Sequence, residues 1–329
     1  MTMDKLVAGF ADQLREAIAI GNEIKMHASK AETRNIIVTG LGGSGIGGNL
    51  VSEIVGPELK VPFQVNKEYG LPNYVNEHTL VICSSYSGNT EETLAAFDDA
   101  LKAKAKIVCI TSGGKLLELA KLHNLDHVVI PGGNPPRACL GYSSVQQMFV
   151  LNRLGLISNK FEAELNNTIN LLERESEHIK TLAHAIAGKL QNRIPVLYSV
   201  TDMESVAVRF RQQINENSKM LCWHHVVPEM NHNELVGWRN RIGNWAPIFL
   251  RSREDFERNQ QRIEINKGIV AEFAEQVIEI YAKGESHMER AYYLIHLGDW
   301  VSVYLAELNG VDAVEVKVID HLKNELAKI

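Results

Sequence analysis

Short apolar runs alternate along the first half of the chain with amphipathic stretches of helical period. A leading amphipathic helix is predicted over residues 5–28, and a helical bridge over residues 139–156. Between them the predicted strands are residues 35–39, 63–65, 79–83, 106–110 and 127–130. Helices are predicted to start near Gly45 and Thr90, and a third to run through Lys121. Strands that alternate with helices are typical of βαβ units and of a parallel sheet covered by helices.

The second half repeats this plan more weakly. Its predicted helices are residues 160–190, 203–219, 288–309 and 316–328, and its predicted strands are residues 195–200, 220–227, 245–250 and 277–281. The charged stretch at residues 251–267 is interpreted as a solvated helix face. Each half thus has a strand, a loop and a helix after a long helix. The sequence therefore predicts an α/β fold of two doubly wound parallel-sheet domains in tandem, at residues 1–155 and 156–329.

Composition narrows the classes of partner. A chain of 329 residues is long enough for two such domains. The formal net charge of -6 gives no broad attraction to nucleic acid or to an anionic membrane, so an anionic ligand needs a local binding device. The N-terminus lacks a signal-peptide pattern, no apolar run approaches a membrane span, and the four cysteines have no paired spacing. We therefore expect a cytoplasmic protein with reduced thiols.

A glycine-rich turn follows the first predicted strand. Gly40-Leu41-Gly42-Gly43-Ser44-Gly45 satisfies the G-x-G-x-x-G pattern, and Glu68 lies about where a dinucleotide-binding fold keeps its ribose-binding acid. The pattern alone has low specificity, because any anion held at a helix N-terminus needs small residues that let backbone N–H groups approach it. A tight turn with close helix packing is the plain structural alternative.

The loop after the strand at residues 79–83 favours phosphate over a dinucleotide. Ser85-Tyr86-Ser87-Gly88-Asn89-Thr90 places three hydroxyls and a glycine at the start of a helix. Uncharged hydroxyls and helix-end amides suit a phosphate monoester, whose terminal oxygens all need donors. Ordinary N-capping would explain one such hydroxyl but not three together. The predicted phosphate-binding residues are Gly43, Ser44, Ser85, Ser87 and Thr90.

These two loops resemble those of the sugar isomerase (SIS) domain. The second half adds Asn215-Glu216-Asn217-Ser218-Lys219, the stretch from Pro228 to Glu234, and a tail that includes Leu322-Lys323. Together the motifs resemble the bifunctional phosphoglucose/phosphomannose isomerases of archaea and some bacteria, over nearly the whole chain. The resemblance implies two SIS domains of flavodoxin-like topology in tandem, and a homodimer with shared active sites.

The resemblance also implies an activity. It is the interconversion of glucose 6-phosphate, and of mannose 6-phosphate, with fructose 6-phosphate through an enediolate. This proton transfer needs a base, a ring-opening group and positive charge near the developing oxyanion, but no metal and no redox cofactor. In the family a roomier pocket admits both aldoses. Its pocket-shaping position should fall within residues 314–318, where this chain lacks the threonine expected from other members.

Two of the predicted catalytic residues lie in the second-half motifs. By resemblance Glu216 is the proton-transfer carboxylate, and the flanking Asn215 and Asn217 are polar groups that can orient it. His232 is the candidate ring-opening group, because imidazole can donate or accept a proton near neutral pH. In the family this histidine enters the site from the partner subunit. A solvated glutamate at a helix end and a capping or core histidine are the plain alternatives.

Two basic residues complete the predicted catalytic set. Arg137 lies on a loop stiffened by two prolines, and a rigidly presented guanidinium suits the stabilisation of enediolate oxygens. Lys323 resembles the family's C-terminal lysine that assists ring opening, and Lys317 is the competing choice. For each of these three residues, a surface position without catalytic function is the alternative.

Other functions fit the sequence less well. The pair His224-His225 invites a metal interpretation, but adjacent histidines on a strand point to opposite faces. A non-catalytic SIS-type regulator would keep the phosphate loop without needing Glu216, His232 and Arg137 together. A glutamine-dependent aminosugar enzyme would need a nucleophilic N-terminal cysteine or a glutaminase domain. A dinucleotide oxidoreductase would not need the second loop.

Overall fold

The computed structural model describes residues 2–27, 31–240 and 243–328. The chain forms two compact units. The N-terminal unit comprises Gly9–Glu173 and Glu285–Glu289, and the C-terminal unit comprises Met1–Ala8, Arg174–Gly284 and Arg290–Ile329. The domain limits given above, 1–155 and 156–329, stay a prediction.

Each unit is built on one sheet of parallel strands. The strands are β1 Asn35–Thr39, β2 Phe63–Asn66, β3 Thr79–Ser84, β4 Lys106–Thr111, β5 Asp126–Val129, β6 Ile194–Val200, β7 Trp223–Val227, β8 Trp245–Arg251 and β9 Ile278–Tyr281. The N-terminal sheet has the order β2-β1-β3-β4-β5, and the C-terminal sheet has the order β7-β6-β8-β9. In each sheet the second strand of the chain lies on one side of the first strand, and the later strands lie on the other side. This is the flavodoxin-like arrangement. The predicted α/β fold with two doubly wound parallel sheets is confirmed.

The α-helices of the described residues lie before, between and after these strands. They are α1 Met3–Ala8, α2 Phe10–Asn22, α3 Gly42–Val55, α4 Glu91–Lys102, α5 Gly114–Leu122, α6 Leu140–Arg153, α7 Lys160–Arg174, α8 Ser176–Leu190, α9 Glu204–Ser218, α10 Glu257–Ala271, α11 His287–Leu308 and α12 Lys317–Leu326. None of the helices in the described ranges is both long and apolar enough to cross a lipid bilayer.

The N-terminal sheet places two loops side by side. All six residues of β3 are buried, as expected for a central strand covered by helices on both faces. β3 pairs in parallel with β1, and Thr39 lies opposite Cys83 at the carboxyl ends of the two strands. The chain leaves these neighbouring strands toward different helices, α3 and α4. The gap between such strands is where doubly wound sheets bind ligands.

Two predicted helical stretches are each divided into two helices in the structure. The leading helix ends at Ala8 and restarts at Phe10, because Gly9 takes a non-helical backbone conformation (φ -78°, ψ 9°). It then ends at Asn22, and residue 28, its predicted end, lies outside the described residues. The stretch 160–190 is likewise two helices, with a break at Glu175.

The charged stretch 251–267 is only partly a helix face. Arg251 is the last residue of β8 and is buried, and the helix begins six residues later at Glu257. Carboxylates satisfy the buried guanidinium, since Arg251 Nη1 donates to Glu264 at 2.7 Å and also to Glu279. The interpretation of this stretch as a solvated helix face was therefore wrong at Arg251.

Candidate active site

The glycine turn packs tightly against the end of β3. A Cβ atom on Gly40 would lie 2.6 Å from the Ser84 carbonyl oxygen, and one on Gly45 would lie 2.3 Å from the Gly40 carbonyl oxygen. Close packing therefore explains these two glycines without any ligand. Gly43 and the buried Ser44 lie in the first turn of α3, at the positive end of the helix dipole, and the Ser44 N–H donates to the Leu41 carbonyl at 3.1 Å. This first turn is the part of the glycine loop that suits an anion.

The predicted phosphate loop is held by its own hydroxyls. Ser85 is buried, and its Oγ lies 2.8 Å from Thr90 Oγ1 and accepts the Gly88 N–H at 3.2 Å. Ser87 is exposed, and its Oγ accepts the Asn89 N–H at 3.3 Å. The loop therefore forms a compact hydroxyl-lined turn directly before α4.

Thr90 occupies the N-cap position of α4 but does not cap it with its side chain. Its hydroxyl is instead directed to Ser85 Oγ. Capping was the plain alternative for this residue, and the capping hydrogen bond that it requires is not formed. The first-turn N–H groups of α4 remain available to an anion, and the helix dipole adds favourable positive potential there.

The start of α5, which follows β4, forms hydrogen bonds to the phosphate loop. The Leu116 N–H donates to the Gly88 carbonyl at 2.9 Å, and the Lys115 N–H donates to Asn89 Oδ1 at 3.0 Å. Gly88 has a left-handed backbone (φ +71°), and a Cβ there would lie 1.9 Å from the Gly113 carbonyl oxygen. Glycine is therefore required at position 88 for both conformation and space.

Arg137 lies on a segment that contacts both loops. It is buried in the short 3₁₀ helix Pro136–Ala138. The Asn134 N–H, just before this helix, donates to the Tyr86 hydroxyl at 3.1 Å. A Cβ on Gly43 would lie 2.9 Å from the Pro136 carbonyl oxygen. The structure thus brings the segment of Arg137 together with the glycine turn and the phosphate loop at one edge of the N-terminal sheet.

Gln13 fixes the same segment from the other side. Its Nε2 donates to the Ala138 carbonyl at 2.7 Å, and its Oε1 accepts the Gly141 N–H at 2.8 Å. No motif in the sequence singled out Gln13, because its partners lie 125 and 128 residues away. Tyr86 stood within the phosphate motif, but only the fold connects its hydroxyl with the segment of Arg137.

Glu216 lies in the last turn of α9 in the C-terminal unit. Its neighbours hold this helix end in place. Asn215 Nδ2 donates to the Met220 carbonyl at 2.7 Å, and Asn217 Nδ2 donates to Ser302 Oγ on α11 at 2.9 Å. These amides, expected to orient the carboxylate of Glu216, therefore orient the backbone that carries it.

Lys219 joins this helix end to the C-terminal tail. It has the left-handed conformation (φ +57°) that ends α9. Its ammonium donates to the Glu216 carbonyl at 2.6 Å and to the Glu315 carbonyl at 2.8 Å. The segment that leads into α12 is thereby attached next to Glu216.

Lys317 and Lys323 both lie on α12 and are exposed. They are six residues apart, which separates them by about 120° around the helix axis. The two lysines therefore point in different directions, and only one of them can serve a given ring oxygen. The choice of Lys323 over Lys317 stays a prediction.

His232 ends a short 3₁₀ helix, Glu229–His232, and is exposed. The residues on either side of it are anchored. Asn231 Nδ2 donates to Asn266 Oδ1 at 2.7 Å, and Asn233 Nδ2 donates to Glu229 Oε1 at 3.0 Å. The imidazole is therefore presented to the surface by a segment with a defined conformation.

The adjacent histidines of β7 face opposite sides of the sheet, as predicted. His224 contacts α9, with its Nδ1 3.3 Å from Arg211 Nη1 and its Nε2 3.6 Å from a Glu204 carboxylate oxygen. Burial lowers the pKa of His224, and the Arg211 guanidinium lowers it further. His225 Nδ1 lies instead 3.1 Å from Glu234 Oε2. Each ring thus has its own partners.

The chain is similar to several known proteins. A model of the bacterial phospho-glucose isomerase C-terminal SIS domain matches residues 179–326. A bifunctional phosphoglucose/phosphomannose isomerase from Caldicellulosiruptor bescii is 41% identical, over 99% of this chain and 99% of the relative. One from Aquifex aeolicus is 40% identical, over 90% of this chain and 91% of the relative.

A solved structure shares the fold. The C-terminal domain of glucosamine-fructose-6-phosphate aminotransferase from Francisella tularensis matches with a TM-score of 0.77. The match covers 95% of this chain and 98% of that one, at 15% identity, so it bears on fold alone. Membership follows from the sequence relatives, which are similar over nearly their whole length. The chain belongs to the bifunctional phosphoglucose/phosphomannose isomerase family.

Proposed function

We propose that this protein interconverts glucose 6-phosphate, and mannose 6-phosphate, with fructose 6-phosphate through an enediolate, without a metal or redox cofactor. The observation that carries the proposal is the hydroxyl-lined turn before α4, which contacts the segment of Arg137 through Tyr86. Such a turn suits a phosphate monoester, and a neighbouring guanidinium suits an oxyanion. The relatives named above support the choice of substrates.

Each predicted residue has a role in this reaction. The 6-phosphate is bound by Ser85, Ser87, Thr90 and the first turn of α3 at Gly43 and Ser44. Glu216 moves the proton between C1 and C2, and Arg137 stabilises the enediolate oxygens. His232 opens the ring, with help from Lys323. Buried hydrogen bonds that fix α9, such as that from Asn217 to Ser302, support a catalytic base at position 216 because they hold its backbone.

The proposal extends to assembly and compartment. The protein acts as a homodimer in which the partner subunit's His232 completes each active site. Two features support the contribution of His232 to the active site of the other subunit: it is exposed, and its segment is anchored on both sides. The four cysteines are free and buried, which is consistent with a reducing cytoplasm.

Replacement of the catalytic base tests the mechanism. We expect Glu216→Gln to lower kcat for fructose 6-phosphate by roughly 10²–10⁴-fold, with little change in KM, because general-base catalysis contributes about that much. The measurement is an assay coupled to glucose 6-phosphate oxidation, in the presence of a chelator. The matched control is Glu204→Gln at the start of α9, which should keep wild-type activity. Full activity in Glu216→Gln would refute the assignment of the base.

Subunit exchange tests the shared site. Glu216→Gln and His232→Ala are each expected to be nearly inactive as pure dimers. After exchange, half of the dimers are mixed, and one of their two sites has both residues intact. The mixture should therefore recover about a quarter of wild-type activity. No recovery, despite exchange demonstrated with differently tagged chains, would show that His232 acts within its own subunit or not at all.

A further inference from the structure

The phosphate loop contains an aromatic side chain that spans two parts of the candidate site. The Tyr86 carbonyl oxygen accepts the Ser112 N–H at 3.0 Å and the Ser112 hydroxyl at 2.6 Å. The phenol extends the other way, where its oxygen accepts the Asn134 N–H at 3.1 Å. One residue is thus fixed to the loop after β4 by its backbone and to the segment of Arg137 by its side chain.

The phenol keeps its proton at neutral pH. Burial raises the pKa of Tyr86 to about 12, with a further contribution from the hydrogen-bonded Cys139 side chain. A protonated hydroxyl can accept the Asn134 N–H and still donate its own hydrogen. Cys139 directly follows the 3₁₀ helix that carries Arg137, so the phenol contacts residues on both sides of Arg137.

Further contacts hold other parts of this segment. Gln13 binds the Ala138 carbonyl and the Gly141 N–H, both after Arg137. The glycine turn touches Pro136 through Gly43. The Asn134 N–H, at the start of the segment, donates to Tyr86. Loss of the phenol oxygen would remove the hydrogen bond to the Asn134 N–H at the start of the segment, while the hydroxyls of Ser85, Ser87 and Thr90 would stay in place.

We propose that Tyr86 is a positioning residue that couples the phosphate loop to Arg137. With the 6-phosphate bound in the loop, the phenol holds the start of the 134–137 segment, and Arg137 is thereby fixed where the enediolate oxygens develop. This inference rests on the proposed function. It assigns Tyr86 a role in kcat rather than in phosphate affinity, because the phenol acts on the segment of Arg137 and not on the phosphate ligands.

The test is the variant Tyr86→Phe, which keeps the ring and removes only the hydroxyl. We expect kcat for fructose 6-phosphate to fall roughly five- to tenfold, as for the loss of one hydrogen bond that acts in the transition state, and KM to change less than about twofold. The matched control is Tyr74→Phe, which removes a hydroxyl hydrogen-bonded to Gln64 in the same unit. It should leave both constants unchanged.

A double-mutant cycle separates positioning from a general structural role. In an Arg137→Ala background, Tyr86→Phe should lower kcat no further, since the residue that it positions is gone. The same five- to tenfold loss in both backgrounds would overturn the inference, as would a Tyr86→Phe enzyme that behaves like Tyr74→Phe. Either result leaves the proposed function intact. If the wild-type protein has no isomerase activity, the proposed function itself fails.

Discussion

Gly88 is the residue on which the shape of the phosphate loop most directly depends. We expect Gly88→Ala to raise KM for fructose 6-phosphate at least tenfold, because the new Cβ would meet the Gly113 carbonyl oxygen at 1.9 Å and force the loop to move. The control is Gly155→Ala, which shares the left-handed backbone (φ +73°) but has no heavy atom within 4 Å of the added Cβ. It carries the conformational cost without the clash, so its KM should be unchanged.

An equal change of KM in both variants would contradict this assignment. It would mean that backbone strain, rather than the packing of the loop on Gly113, governs phosphate binding. Comparison of thermal unfolding for the two variants separates stability from affinity. Both should lose stability by about 1 kcal/mol from the left-handed position, and Gly88→Ala should lose more.

At the residue scale, the sequence predicted which side chains the candidate site contains better than it predicted the contacts between them. The hydroxyls of Ser85, Ser87 and Thr90 could be read directly, because a strand, a glycine and a helix start frame them. The hydrogen bond between Tyr86 and Asn134 could not be predicted, since it spans 48 positions and depends on the order of the strands. Likewise, Asn215 is next to Glu216 in sequence, but its side-chain amide donates to the Met220 carbonyl.

The C-terminal helix α12 is the element whose attachment makes a testable prediction. Lys219→Asn should loosen it, because the ammonium bonds to the carbonyls of Glu216 and Glu315 are lost. Asparagine tolerates the left-handed conformation at this position, so the helix end itself should survive. We expect amide hydrogen exchange over residues 315–326 to speed up roughly tenfold, as for the loss of charged hydrogen bonds.

Exchange in α4 serves as the internal reference for this measurement and should not change. Unchanged exchange over residues 315–326 in Lys219→Asn would show that other contacts hold the tail. If Lys323 assists ring opening as proposed, kcat should fall in the same variant, since the helix that carries Lys323 would be less well fixed.

At the element scale, apolar runs fixed the strands to within about three residues, because buried parallel strands leave a strong signal. The long helices were predicted as continuous where the chain breaks at Gly9 and Glu175, since both halves of each keep the same amphipathic character. The start of β7 was placed three residues early, at Met220 rather than Trp223. The strand begins only after Lys219 has ended α9 and the chain has turned.

Buried ionisable groups make the stability of the whole molecule depend on pH. His296 on α11 is buried, and burial lowers its pKa to about 4, with a smaller contribution from Lys180. Because the unfolded chain binds a proton near pH 6.5, this histidine stabilises the folded state fully above that pH, and the contribution is lost as pH falls from 6.5 toward 4. Between pH 7.5 and pH 5 we expect a loss of about 2 kcal/mol from this group.

Urea unfolding at the two pH values measures the change in the free energy of unfolding. His296→Gln should lose about 2 kcal/mol less than the wild type over the same interval, because the substituted side chain does not titrate. The exposed His321→Gln is the control and should follow the wild type. Identical pH dependence in all three proteins would contradict the assignment.

At the scale of the whole chain, the tandem plan could be predicted because both halves repeat a strand, loop and helix after a long helix. The family resemblance added the roles of Glu216, His232 and Lys323, which no hydrophobic pattern contains. Side-chain networks such as the one around buried Arg209 and Asp299 could not be predicted, since these partners lie 90 residues apart on α9 and α11. Such contacts follow from the packing of helices that sequence alone does not pair.

The central claim is tested most directly by proton nuclear magnetic resonance of the purified protein with fructose 6-phosphate in deuterated buffer that contains a chelator. We expect signals of both glucose 6-phosphate and mannose 6-phosphate to appear, with deuterium at C2 in part of each product, as an enediolate that exchanges its proton requires. Absence of any aldose 6-phosphate after prolonged incubation would contradict the account.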